Sequence, residues 1–272
     1  MIGLPAALLL AATYVVEGLV LGVNVAERTV TVSHKEIAGA MPAMAMPLRV
    51  GNAKELAGLK PGVRIRFELT LDGGRGQARK IKLLAADNSI EEGGRRIALE
   101  APKEQVAVGD RVPDFSLVTQ EGKAWSLNEA RGKVVAIQFL YTRCPMPEVC
   151  PRLAATFAAL QRRFAGRGDL MLLSVTLDPV YDTPAVLSRY ATLWRSSASR
   201  WLFGTGSTEQ IRMAAARFGI VYWPEEGVIT HTSNIAVIGR TGRLEARVEG
   251  LSFTARQLGD LVEHTLDRGS EQ

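Results

Sequence analysis

Cysteine and histidine are scarce in this chain, which has two cysteines and three histidines among 272 residues. Aromatic residues make up only 6% of the sequence, and no basic run with interleaved aromatics is present. A nucleic-acid-binding role is therefore disfavoured. The net charge of +5 is spread along the chain and suits, at most, acidic partners or an anionic membrane surface. With 47% hydrophobic residues the chain can build real cores, which argues against intrinsic disorder.

A membrane-spanning run is missing at the start of the chain. The apolar stretch at residues 1–12 has the length of the hydrophobic region of a signal peptide and is too short to cross a bilayer. It lacks preceding basic residues, so an apolar lead-in to a first strand is the alternative. We favour an export-signal remnant over residues 1–13. That predicts an exported protein, in the periplasm or at the outer face of the cytoplasmic membrane, with its cysteines in an oxidising compartment.

Both cysteines lie in one phrase, YTRCPMPEVCP at residues 141–151. The apolar run before it predicts a buried strand, and the residues after it predict a helix. Backbone N–H groups and the helix dipole at such a junction favour a thiolate. A pair formed by Cys144 and Cys150 can therefore exchange with disulfides or hold a soft metal ion.

The chain length predicts two domains. Residues 14–86 alternate in the manner of short strands, separated by the turn sequences KPG at 60–62 and DGG at 72–74. Five strands in so short a segment predict a small all-β, OB-like barrel, closed or partly open. Residues 87–108 lose this periodicity and gain charge and glycine, which predicts a linker. The expected strands are 15–23, 28–34, 45–50, 63–71 and 78–84.

From residue 109 to residue 272 strands and helices alternate, which is typical of an α/β fold. Asp182 is expected to cap the second helix, with Pro184 in its first turn. The expected strands are 134–140, 170–177, 234–238 and 245–248. The expected helices are 151–164, 183–194, 209–218 and 254–266.

The second domain resembles the Sco (SenC-type) family of thioredoxin-like copper proteins. The matching phrases are VPDFSL at 112–117, CP at 150–151, SVTLDP at 174–179, DTP at 182–184, WLFGTG at 201–206 and THTS at 230–233. The resemblance implies a thioredoxin-like fold and a copper site formed by Cys144, Cys150 and His231. Asp178 would be an acceptor that orients a ligand. Two thiolates satisfy Cu(I), and an imidazole is a third donor that also suits Cu(II).

The spacing of the cysteines departs from the Sco pattern, because five residues intervene here and three are usual in the family. Pro147 holds Met146 in an extended conformation and delays the helix, so we expect the loop to fold back and bring the two sulfurs within reach. Met146 is either an extra soft donor or a loop-packing residue.

A methionine-rich phrase marks the first domain: Met41, Met44 and Met46 fall within six residues, and His34 ends a neighbouring expected strand. Thioethers select Cu(I) and need no deprotonation, although methionines also fill irregular cores. The phrase resembles the CusF-type periplasmic copper-binding barrel, where a histidine and a Met-x-Met pair bind Cu(I). The resemblance implies His34, Met44 and Met46 as ligands, with Met41 as a further donor near the place of that family's capping tryptophan.

Together the two resemblances imply a copper metallochaperone. Its partners would be a copper-acceptor protein, such as the copper-centre subunit of cytochrome c oxidase, and a thiol reductant protein. The alternative is an enzyme, a thiol–disulfide oxidoreductase in which Cys144 attacks and Cys150 resolves. His231 discriminates between them, because dithiol exchange does not require it. A copper sensor or buffer that delivers nothing is a third interpretation.

Overall fold

The structure is a computed structural model that describes residues 12–72, 75–86, 89–92, 95–225 and 227–268. The chain divides into two compact units, one that ends at Leu84 and one that begins at Ala85. Within the described ranges, no helix is long and apolar enough to cross a membrane. The predicted export-signal remnant lies outside the described residues, apart from its last two positions.

The first unit contains the five strands expected from the sequence: β1 (Thr13–Asn24), β2 (Thr29–His34), β3 (Met44–Val50), β4 (Arg64–Asp72) and β5 (Arg75–Leu84). They close into a ring in the order β1-β2-β3-β5-β4, in which β4 returns to pair with β1. Strands β3 and β5 pair in parallel, and the other neighbours pair antiparallel. A closed ring leaves no exposed sheet edge, which stabilises a unit of this small size.

The interior of the ring is a close-packed apolar core. Val32, Leu48 and Phe67 are at most 1% exposed. Gly76 on β5 lies directly against this core: a Cβ atom there would be 2.4 Å from Leu48 Cδ2 and 2.9 Å from Met46 Cε. A side chain at this position would have to displace the ends of Leu48 and Met46, so glycine lets both pack against β5.

The segment expected to be a linker, residues 87–108, contains regular structure. Strands β6 (Ser89–Glu92) and β7 (Arg95–Ala98) pair antiparallel into a two-stranded sheet. The sequence did not indicate this pair, because each strand is only four residues long and the segment is rich in charged residues and glycine.

The second unit is built on a seven-stranded sheet in the order β16-β15-β10-β11-β12-β8-β9, in which β10, β11 and β12 run parallel. Every residue of β10 and β11 is buried, as expected for central parallel strands covered on both faces. The strands are β8 (Ser116–Thr119), β9 (Ala124–Ser126), β10 (Val134–Leu140), β11 (Leu170–Thr176), β12 (Trp201–Thr205), β13 (Tyr222–Glu225), β14 (Val228–His231), β15 (Asn234–Ile238) and β16 (Leu244–Glu249). The helices are α1 (Cys150–Arg163), α2 (Pro184–Leu193), α3 (Thr208–Arg217) and α4 (Ala255–Arg268).

The expected cap of α2 was wrong by one residue. Thr183 is the N-cap, and its side chain accepts a hydrogen bond from Val186 N. Asp182 instead points its carboxylate to the end of β11 and to Thr142, as described below. The expected strands and helices of this unit are otherwise present with small shifts at their ends. The sequence interpretation missed the separate hairpin of β13 and β14, which carries His231 at its end.

Candidate metal sites

His34 in the ring has one ring nitrogen bonded to the backbone and the other buried. Its side chain is 1% exposed, and Nδ1 lies 2.6 Å from the carbonyl oxygen of Lys35. Because a carbonyl oxygen only accepts, Nδ1 must donate, and the lone pair of the neutral ring is on Nε2. Nε2 is buried and has no hydrogen-bond partner among the described residues. This tautomer, fixed by a backbone carbonyl, is the one that ligates metals.

Two of the methionines lie on the strand that pairs with the strand of this histidine. In the antiparallel pair of β2 and β3, His34 faces Met44, and Val32 faces Met46. Directly opposite residues share one face of a sheet, so His34, Met44 and Met46 lie on the same face. Met44 is 36% exposed, whereas Met46 and Met41 pack against the ring core. One imidazole and soft thioether sulfurs on one face fit Cu(I).

The two cysteines lie at the carboxyl end of β10, on the loop that leads into α1. Cys150 is the first residue of α1 and is fully buried, whereas Cys144 is half-buried. Both thiols are free, and the Cys144 Sγ lies 3.9 Å from the carbonyl oxygen of Met146. The loop leaves one thiol accessible and one covered, and both cysteines line one cavity.

Burial dominates the protonation of Cys150. It raises the pKa of the Cys150 thiol, and the neighbouring Cys144 raises it further, although the backbone N–H of Tyr141 lowers it. The expectation that the helix N-terminus would favour a thiolate is thus not met at Cys150, because desolvation of the charged form is the larger effect. A metal ion that binds there must displace a tightly held proton.

Aromatic side chains form the walls around the cysteines. A cavity of about 300 Å³ is lined by Tyr141, Thr142, Cys144, Cys150, Pro151, Tyr190, Leu193 and Trp194. Burial raises the pKa of Tyr190 to about 12, so its hydroxyl stays protonated. The sequence interpretation missed this aromatic wall. Its trace in the sequence is the spacing of Tyr190, on α2, and Trp194, the C-cap of that helix, which are one helical turn apart.

His231 repeats the arrangement of His34. Its Nδ1 lies 2.9 Å from the carbonyl oxygen of Thr232, which again places the lone pair on Nε2. Nε2 is buried and has no partner within the described part of the chain, and burial lowers the pKa of the ring. The neutral imidazole is thus available as a ligand at neutral pH. Its ring packs edge-on against Tyr141, with the ring centroids 6.2 Å apart.

The three predicted Sco-type ligands are not gathered into one coordination sphere. Among the described residues, no three His, Cys, Asp or Glu side chains lie close enough to hold a metal ion. The cysteines share a cavity, and His231 lies beyond Tyr141, which is part of its wall. Asp178 does not bond to a predicted ligand: its Oδ2 accepts a hydrogen bond from Arg143 Nε at 2.7 Å. That guanidinium also stacks 4.8 Å from the centroid of the Tyr181 ring.

Two known protein families match this chain. The family model described as SCO1/SenC matches residues 103–266, more than half of the chain. The chain belongs to the SCO1/SenC family. A second family model, described as Copper binding periplasmic protein CusF, matches residues 13–83, all of the ring except its last residue. A thioredoxin-like SCO1/SenC unit thus follows a CusF-like copper-binding region in one chain.

Individual relatives agree with this assignment. The SCO1 protein homolog of Bacillus subtilis is 30% identical over 148 residues, which are 53% of this chain and 76% of the relative. The solved structure of BsSco, described as a member of the Sco family of cytochrome c oxidase assembly proteins with a disulfide switch, is 26% identical. It has a TM-score of 0.51 and covers 61% of this chain and 98% of BsSco. Arabidopsis thaliana ScoI, solved with copper bound, shares the fold at 21% identity and a TM-score of 0.51, over 57% of this chain and 98% of its own.

Proposed function

We propose that this SCO1/SenC protein is an exported copper metallochaperone with two copper sites. The ring captures or buffers Cu(I), and the thioredoxin-like unit binds copper and passes it to an acceptor protein. The observation that carries this proposal is the hydrogen-bonding arrangement that His34 and His231 have in common. Each has Nδ1 bonded to the next backbone carbonyl and a buried Nε2 that no described residue bonds. A buried nitrogen left unbonded costs stability, which is understandable where it awaits a metal ion.

The ring site would use His34 Nε2 with the sulfurs of Met44 and Met46, and with Met41 as a further donor. The thioether sulfurs carry no proton to lose, and thioethers do not form disulfides. The site would therefore hold Cu(I) in an oxidising compartment, where free thiols are consumed.

The second site would use both cysteine sulfurs and His231. Because these groups are not assembled here, copper binding requires the cysteine loop and the β13–β14 hairpin to approach each other. Transfer then proceeds by ligand exchange, in which a donor of the acceptor joins before a resident donor leaves. The description of BsSco as a cytochrome c oxidase assembly protein makes an oxidase copper subunit the acceptor to test first. A thiol reductant protein would keep the pair reduced.

An anaerobic Cu(I) titration of the reduced protein against a competing chelator tests the proposal. Wild type is compared with Cys144→Ser/Cys150→Ser and with Met44→Leu/Met46→Leu. We expect two tight sites, each removed by its own double variant and left intact by the other. Loss of both sites in either variant would contradict independent sites. A wild type with only one tight site, unchanged in the cysteine variant, would remove copper from the second unit.

The cysteine pair also supports a second function, a thiol–disulfide oxidoreductase. A half-buried Cys144 beside a fully buried Cys150 is the arrangement of an attacking thiol and a resolving thiol. Reduction of insulin disulfides by the reduced protein tests this function. Activity that His231→Ala leaves unchanged, together with no tight copper at the cysteines, would favour the enzyme.

A further inference from the structure

Asp182 is a fully buried carboxylate whose hydrogen bonds all go to residues near the cysteine loop. It is 0% exposed, which is rare for aspartate unless its oxygens are bonded. Its Oδ2 accepts hydrogen bonds from Thr142 N at 3.1 Å and from Thr176 Oγ1 at 2.5 Å. Its Oδ1 accepts a short hydrogen bond from Thr142 Oγ1.

These bonds join three parts of the site. Thr142 begins the cysteine loop, two residues before Cys144. Thr176 ends β11, and its hydroxyl oxygen also accepts a hydrogen bond from Asp178 N at 2.9 Å. Asp182 itself precedes α2, the helix that supplies the aromatic wall of the cavity. One carboxylate therefore fixes the start of the cysteine loop to the sheet and to that helix.

The turn that carries Asp182 holds the next loop residue as well. Asp182 N donates to Asp178 O at 2.8 Å, which closes the turn, and the Asp178 carboxylate binds Arg143. Two aspartates of one turn thus hold Thr142 and Arg143, the two residues immediately before Cys144. Capping of α2 does not explain Asp182, because Thr183 is the cap.

We propose that Asp182 is a positioning residue that acts through Thr142 to hold Cys144 near Cys150. It keeps the two sulfurs at the separation that disulfide formation and shared copper binding both need. The inference rests on the proposed use of the cysteine pair. Asp182 touches neither the metal nor the sulfurs. It sets how readily the two sulfurs form a disulfide or share a copper ion.

The test is the equilibrium of the full-length, metal-free protein with a glutathione buffer. One protein disulfide and two glutathione thiols exchange with two cysteine thiols and one glutathione disulfide, so electrons and protons balance. The variants are Asp182→Asn and Thr142→Val, with Thr142→Ser as the conservative rescue because it keeps the hydroxyl. Asp169→Asn is the matched control: it removes an ion-paired carboxylate at the opposite end of β11.

We expect Asp182→Asn and Thr142→Val to lower the equilibrium constant for disulfide formation about tenfold, which is about 30 mV in reduction potential. Thr142→Ser and Asp169→Asn should match wild type. Thr142→Val keeps the test decisive if Asp182→Asn fails to fold. The inference is overturned if Thr142→Val leaves the potential unchanged, or if Asp169→Asn shifts it equally. Cu(I) titration of wild type is a separate measurement, so the proposed function can stand when this inference fails.

Discussion

Replacement of His34 by leucine should abolish copper binding by the ring without destabilising the metal-free ring. The buried Nε2 has no partner among the described residues of the metal-free protein, which costs about 1–3 kcal/mol, whereas the Nδ1 bond to Lys35 O contributes about 0.5–1.5 kcal/mol. His34→Leu removes both terms. The opening free energy of the metal-free ring should therefore stay within about 1 kcal/mol of wild type or rise.

Hydrogen exchange of the β2 and β3 amides, followed by mass spectrometry, measures this opening free energy for the ring alone. With free Cu(I) at 100 times its dissociation constant, wild type should gain about 2.7 kcal/mol of protection, and His34→Leu should gain none. His264→Leu, which changes a half-buried histidine on α4, is the control and should behave as wild type. A loss of several kcal/mol in metal-free His34→Leu would show that the histidine is a structural residue and refute the argument.

Three further predictions concern the second unit. Iodoacetamide should modify Cys144 well before Cys150 in the metal-free protein, because Cys150 is buried and burial raises its pKa; equal rates by peptide mass mapping would contradict this placement. Asp169→Asn should cost about 1–2 kcal/mol at neutral pH, because two arginine side chains lower the pKa of this carboxyl. The full cost is expected above about pH 5, and it declines as the pH falls below the pKa of this carboxyl in the unfolded state. Unfolding monitored by tryptophan fluorescence measures the difference from wild type. A difference that does not change with pH would exclude this electrostatic explanation. Tyr141→Phe removes the acceptor of Ile229 N and should speed hydrogen exchange in β14, with about 1 kcal/mol lost; unchanged exchange would mean that this bond does not hold the hairpin.

The sequence was sufficient for the strands of the ring, because turn residues and alternation are local properties. The same is true of β10 and β11, whose continuous apolar runs require burial on both faces. It also placed His34 beside the methionines, since adjacent strands of a small ring pair with their neighbours. All of these features follow from the order of residues that are close together in the sequence.

The parts that failed depend on distant contacts. Asp182 and Thr183 are both favourable N-cap residues by type. Thr183 caps α2 because the Asp182 carboxylate bonds Thr142, which is forty residues away in the sequence. The thiol of Cys150 was expected to ionise, but its burial depends on packing that the local phrase does not encode. The β13–β14 hairpin was missed because Pro224 interrupts its pattern.

Gly76 has a consequence for how this protein can evolve. Its neighbours Met46 and Leu48 fill the space where a side chain would go, and they do so for different reasons. If Met46 is a copper donor, as proposed above, its thioether must be retained, whereas a packing leucine can be exchanged for a smaller residue. Any homologue that replaces Gly76 and still binds Cu(I) should therefore carry a smaller residue at the position of Leu48 and retain the methionine.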